Sequence, residues 1–149
     1  MNKNTSPFFL SGGISIDDRG ILKYINDLQL NEFKRFYIVE NHEKGFIRAW
    51  HGHLIEAKAF IPIKGSILVG AVPIDDEKKP NKEATVERFI ISEHKPGALI
   101  IPPRFANGFK TLSDNSIVLI LSTSTLEASL ADDFRYPFDY WNPWEIEKR

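Results

Sequence analysis

The stretch GFIRAWHGHLIEAKAFIPIKG, residues 45–65, carries two of the four histidines in the chain, His51 and His53, one residue apart. Side chains alternate along an extended strand, so both imidazoles fall on one face. Such a pair holds a metal ion, moves protons, or fills a polar niche. Arg48 stands three residues before His51, out of phase with it, and meets the same face only if the strand carries a bulge. Lys58 interrupts the apolar run AKAFIPI (57–63). An ammonium there is either on an exposed face or part of a site.

Short apolar or alternating runs continue on both sides: RFYIVE (35–40), SILVGAV (66–72), TVERFIIS (85–92), ALIIP (98–102) and SIVLILST (116–123). Their β-branched and aromatic content, broken by Gly, Pro, Asn and Asp, predicts an all-β sandwich or barrel. Helical periodicity is weak, with a turn or two expected in YINDLQL (24–30) and LEASLADDF (126–134). IDDEKKPNKEA (74–84) reads as an exposed loop. The tail FRYPFDYWNPWEIEKR holds six Phe, Tyr or Trp among its sixteen residues. It must pack on the mouth of the barrel or against another subunit, with Trp141 and Trp144 as packing residues.

At 149 residues the chain reads as one domain, residues 1–149. Hydrophobic residues make up 42% and the net charge is −1, which gives no reason to expect nucleic acid or a membrane as partner. There is no cysteine, so thiolate metal sites and cysteine nucleophiles are excluded. No apolar run approaches the ~20 residues of a membrane span. With no signal-peptide pattern, the cytoplasm is the expected compartment.

The spacing of 45–65 resembles the first motif of the cupins: Gly, five residues, His-x-His, three or four residues, Glu, six residues, Gly. Gly45, His51, His53 and Gly65 occupy their positions, and Lys58 stands in place of the metal-binding Glu. GALIIPPRFANGF (97–109) resembles the second motif, with Asn107 in place of the third metal-binding His. A cation where a carboxylate should be disfavours a metal and favours an oxyanion. The resemblance implies a cupin-type jelly-roll β-barrel with no metal and no cofactor. A metal cupin, an oxygenase or phosphosugar isomerase with Glu56 as third ligand, is the alternative. So is a sugar-binding module without turnover.

IRAWHGHLIEAK and IIPPRFANGF together resemble the metal-free dTDP-4-dehydrorhamnose 3,5-epimerases. The His-x-His also resembles the dTDP-sugar 3,4-ketoisomerases of the same fold. The resemblance implies a cofactor-independent epimerase or ketoisomerase of a nucleotide-linked 4-keto-6-deoxy sugar, serving polysaccharide precursor synthesis. His51 takes the place of the base, Lys58 that of the cation on the enolate, and Asp139 in PFDY that of the carboxylate orienting the base. His53 is positioned for a second proton step. Arg48, Asn107 and Arg104 are candidates for binding substrate, and Arg19 in DDRG (17–20) for the nucleotide diphosphate. Arg19 and Arg104, taken on their own, read as surface residues before ligands. The family resemblance also implies a homodimer, with FFLSGGISI (8–16) as an exchanged arm.

One departure bears on stereochemistry. The epimerases carry a proton-donating Tyr after the last barrel strand, whereas STSTLEASLADDF (122–134) has none. Glu127, then Asp132, are the nearest titratable substitutes, and Tyr136 or Tyr140 would have to fold back. With His51 and His53 on one side, the residues favour a suprafacial keto shift or inversion of one carbon over double inversion.

Overall fold

A computed structural model describes residues 4–149 of the chain. The apolar runs form strands because their β-branched and aromatic side chains fit a pleated, half-buried surface. In chain order they are β1 (Phe8–Ser11), β2 (Gly13–Asp17), β3 (Gly20–Tyr24), β4 (Arg35–Glu40), β5 (Ile47–His53) and β6 (Lys58–Lys64). There follow β7 (Ser66–Pro73), β8 (Glu87–Ser92), β9 (Gly97–Ile101), β10 (Phe105–Thr111), β11 (Ile117–Ser122), a one-turn helix α1 (Leu126–Leu130) and β12 (Phe134–Arg135). They make two five-stranded antiparallel sheets, β1-β9-β6-β11-β4 and β12-β5-β10-β7-β8, stacked as a cupin-type jelly roll. No helix among the described residues is long and apolar enough to cross a membrane.

The inner faces meet in a core built from Phe60, Leu99, Ile101, Val118 and Ile120 of the first sheet and Ile67, Val69, Ile91, Phe105 and Phe109 of the second. The second sheet is apolar on its outer face too, through Trp50, Leu68, Val72 and Ala106, and the aromatic tail covers it there. Trp50 Nε1 donates to the carbonyls of Phe138 (3.1 Å) and Trp141 (3.0 Å), and its ring lies 4.9 Å from that of Trp144. The tail thus seals the outside of a sheet rather than the barrel mouth. It also straps down the loop 74–84, which joins β7 to β8. Tyr136, Tyr140 and Trp141 donate to the carbonyls of Glu77 (2.7 Å), Pro80 (2.5 Å) and Asn81 (2.9 Å).

Two sequence expectations change and one holds. YINDLQL forms no α-helix; only a 3-10 turn follows at Leu30–Glu32. LEASLADDF keeps one turn of α-helix, capped by the Thr125 hydroxyl accepting from the Ala128 N–H at 3.2 Å. FFLSGGISI divides: β1 pairs with β9 of the same chain, while β2 and β3 form a separate hairpin that exposes Ile16, Ile21 and Leu22.

Trp144→Ala removes one ring of this stack and is expected to cost about 3–5 kcal/mol, the usual range for emptying a buried Trp site. Urea unfolding measures it; a loss below about 1 kcal/mol would show that the tail contributes little.

Candidate active site

The two sheets part at one end around a cavity of about 140 Å³. One wall is Tyr37 and Val39 of β4, Lys58 and Phe60 of β6, and Ile120 of β11. The other is Arg48 and His51 of β5 with Asn107 and Phe109 of β10. The bulge needed to bring Arg48 and His51 together is present. Asn107 pairs with His51 and Phe109 with Arg48, so Gly108 alone faces Ala49 and Trp50. The extra residue shifts the alternation by one and turns both side chains inward. Glycine suits that point because a Cβ on Gly108 would lie 2.5 Å from Cβ of Ala49.

His51 is half-buried in the cavity. β12 lays Phe134 and Arg135 alongside Gly52 and His51, which brings Asp133 Oδ1 to 3.9 Å from His51 Nδ1. The carboxylate beside His51 is therefore Asp133. Asp139 is exposed in the tail, where the chain has already turned away to cover Trp50. Asp133 in turn accepts from Arg135 Nε at 2.9 Å. Burial pulls the His51 imidazole down to about 4, helped by the Lys58 and Arg135 cations and opposed by Asp133. The ring is thus neutral at physiological pH and free to accept a proton.

Lys58 opens β6 and points inward with Phe60, only 8% exposed. Burial lowers its pKa and the nearby Glu56 carboxylate raises it. Glu56 is itself buried at a polar hub. Its oxygens accept from the hydroxyls of Ser122 (2.5 Å) and Ser129 (2.6 Å), with Arg35 Nη2 at 3.4 Å.

His53 shares the face of His51 but belongs to this hub and does not line the cavity. Its Nδ1 lies 2.6 Å from the Asp132 carbonyl and 3.2 Å from Glu56 Oε2. A carbonyl only accepts, so Nδ1 carries the proton. The buried Nε2 has no hydrogen-bond partner among the described residues. Arg48 donates from Nε to Asn41 Oδ1 at 2.7 Å. Arg104 is exposed in the turn before β10, and Arg19, at the tip of the β2–β3 hairpin, pairs with Asp17 at 2.6 Å; neither lines the cavity.

Among the described residues, His53, Glu56 and Asp132 bring three possible metal ligands within 4.8 Å. The donor set does not fit an ion. The Asp132 carboxylate already accepts from the N–H groups of Leu54, Ile55 and Glu56, Glu56 is taken by two hydroxyls and Arg35, and His53 turns an N–H toward both.

Two cavity features escaped the sequence reading. Asp133 was hidden as one of two adjacent acids, and only the β12–β5 pairing selects it. Tyr37 was hidden because RFYIVE is apolar in both phases; its observed phase puts Arg35, Tyr37 and Val39 inward and exposes Phe36 and Ile38.

A neutral base and a buried cation on facing walls are the equipment of a cupin that works by acid–base chemistry, a sugar-nucleotide epimerase or isomerase. The chain belongs to the dTDP-4-dehydrorhamnose 3,5-epimerase family, whose model matches residues 19–136. It is 30% identical over 136 aligned residues to the Haloferax volcanii protein named probable low-salt glycan biosynthesis epimerase Agl13, covering 77% of this chain and 86% of that one. Among solved structures its fold is similar to that of dTDP-4-dehydrorhamnose 3,5-epimerase from Bacillus anthracis, solved with TDP and pyrophosphate bound. The TM-score is 0.78 at 21% identity, over 99% of this chain and 90% of that one. It is also similar to the WlaRB TDP-quinovose 3,4-ketoisomerase from Campylobacter jejuni, with a TM-score of 0.66 at 21% identity over 92% and 98%.

With His51 as the base, its lowered pKa would set the acid limb of activity. A base must be deprotonated, so kcat/KM should hold from pH 7 down to about 5 and fall as pH drops through about 4. A limb centred near 6.5, the ordinary histidine value, would contradict this environment for His51. Gly108→Ala should lower kcat/KM by at least about tenfold, because relieving the clash moves the bulge that aims His51. Kinetics on the folded variant would settle it, and wild-type values would show that the bulge tolerates the methyl group.

Proposed function

We propose that the protein epimerises or isomerises a nucleotide-linked 4-keto-6-deoxy sugar without a cofactor, in the synthesis of polysaccharide precursors. The observation that carries this reading is the neutral His51 facing the Lys58 ammonium across one cavity. A keto group acidifies the hydrogens on its neighbouring carbons. His51 removes one, and charge builds on the carbonyl oxygen as the enolate forms. Lys58 stabilises that oxyanion in a site where little water competes, by several kcal/mol on the usual scale for such donors. The same charge offsets the pull of Lys58 on His51, so the imidazole becomes more basic as it takes the proton. Asp133 then stabilises the imidazolium. Asn107 and Arg48 supply amide and guanidinium donors for sugar or phosphate oxygens. The saturated donor set at Glu56 and Asp132 favours this metal-free chemistry over a metal cupin.

We read the working unit as a homodimer in the cytoplasm. Phe36 and Ile38 on the outer face of β4 are 64% and 56% exposed, and Ile16, Ile21 and Leu22 of the hairpin are similarly open. Arg19 does not line the His51 cavity of its own chain, so a role on a nucleotide diphosphate there would require its hairpin to reach a second copy.

NMR in D₂O with a dTDP-4-keto-6-deoxyhexose tests the chemistry. Deuterium should enter beside the keto group, and His51→Asn should slow this about 10²–10⁴-fold while nucleotide binding persists. Lys58→Met should also cut turnover. Wild-type exchange in His51→Asn would overturn the assignment of the base, and loss of activity on dialysis against a chelator would restore the metal reading.

A further inference from the structure

We propose that Glu56 is a positioning residue for catalysis, which keeps the Lys58 side chain in the cavity as an ammonium while leaving its N–H donors free for the substrate oxyanion. This rests on the reading of Lys58 as the cation on the enolate. The geometry is a row across the first sheet. Ser122 of β11 pairs with Arg35 of β4 on one side and with Lys58 of β6 on the other. Residues in register on neighbouring strands share a face, so the three side chains stand abreast, a neutral hydroxyl between two cations. Glu56 lays its carboxylate on the middle member. Oε1 accepts from Ser122 Oγ at 2.5 Å and lies 3.4 Å from Arg35 Nη2, and Oε2 accepts from Ser129 Oγ at 2.6 Å. One buried negative charge thus serves two positive ones.

The other acids near Lys58 are committed elsewhere. The Asp132 carboxylate is held by three backbone N–H groups. Asp133 accepts from Arg135 and lies beside His51. Glu56 is bonded by two hydroxyls and the neutral His53, which carry no charge to cancel its own, and only Arg35 competes for it.

The groups around Lys58 are Arg35 and Tyr37 from β4, His51 and His53 from β5, Glu56 from the turn, and Asp132, Asp133 and Arg135 after α1. Tyr37 and both imidazoles are uncharged at neutral pH, the phenol pushed up to about 12 and the imidazoles lowered by burial. Burial lowers the Lys58 pKa; Glu56 opposes it most, Arg35 and Arg135 add to it, and Asp133 opposes it less. Among the described residues the Lys58 ammonium has no ion pair or hydrogen bond of its own. A carboxylate bonded directly to it would occupy the donors that the enolate oxygen needs. Held on Ser122, Glu56 supports the charge across a gap, through an interior that screens poorly.

The experiment follows kcat for deuterium exchange against pH, by NMR in D₂O with a dTDP-4-keto-6-deoxyhexose. It compares wild type, Glu56→Gln, Arg35→Gln and Lys58→Met. Glutamine keeps the shape of Glu56 and removes its charge, which leaves two buried cations side by side. In Glu56→Gln the alkaline limb of kcat should move down by about one pH unit or more. Turnover should recover toward wild type as pH falls to about 6, with KM unchanged, because the oxyanion forms only in the transition state. The acid limb should stay, since Glu56 is not among the charges that move His51. Arg35→Gln removes the competing cation and should move the alkaline limb up. An unmoved alkaline limb in folded Glu56→Gln would overturn the proposal. So would a fall in kcat by the same factor at every pH in both variants, the mark of a purely structural hub. If Glu56→Gln does not fold, Arg35→Gln decides alone, and a limb that stays or falls there overturns it. Wild-type turnover in Lys58→Met would sink the reading of Lys58 first, whereas its loss alongside an unmoved limb in Glu56→Gln would sink this inference alone.

Discussion

Three successive backbone N–H groups, those of Leu54, Ile55 and Glu56, converge on the carboxylate of Asp132 at 2.8–2.9 Å. Hydrogen bonds to an ionised acceptor are among the stronger ones a protein makes, and these satisfy the turn between β5 and β6, which has no strand partner. The Asp132 carbonyl takes the proton of His53 at 2.6 Å in the same place. One residue thereby ties the segment after β11 to the start of β6. It fixes Glu56 among its serines, sets the point at which Lys58 turns inward, and leaves Asp133 beside His51. The cavity's titratable groups come from three strands and one loop, and this junction holds three of those pieces in register.

Burying Lys58 costs desolvation, which the fold offsets with a second buried charge. Glu56 lies close enough to raise the Lys58 pKa, while its own oxygens are satisfied by Ser122, Ser129 and Arg35. Removing one member of such a group leaves its partner buried and uncompensated, so the hub acts as a unit. The arrangement separates two environments a few residues apart. At the hub, carboxylates are saturated by donors. In the cavity, the cation, the neutral imidazole and the phenol are left facing open space. The chemistry follows from that separation more than from any single residue.

The sheet framework was legible because seven apolar runs became strands, RFYIVE over the same residues, Arg35–Glu40. His51 and Lys58 were legible from spacing, which survives without knowledge of the fold. β10 was not, since Asn107 and Gly108 weigh against a strand. Yet Asn107 lines the cavity and Gly108 accommodates the bulge, so the residues that hide the strand are those the site requires. Tyr37 was hidden by a strand whose two phases are both apolar, and burial of the outer one depends on what lies outside the chain. Asp133 was hidden because the β12–β5 pairing is a long-range contact that local pattern does not encode. Asp139 had the better local context and the wrong place in space.

The order in which these parts are synthesised has a consequence for how the protein is made. Every strand of the first sheet, and four of the five in the second, precede residue 123, whereas Asp132, Asp133 and the Trp141–Trp144 cover all follow it. A chain emerging from the ribosome can therefore assemble its barrel while the outside of the second sheet, with Trp50 at its centre, is still bare. In that interval the apolar face around Trp50 lacks the cover that Trp141 and Trp144 give it in the finished fold. The same later segment that covers the apolar face also carries Asp133 to the side of His51, so one stretch of chain completes both the outer surface and the cavity.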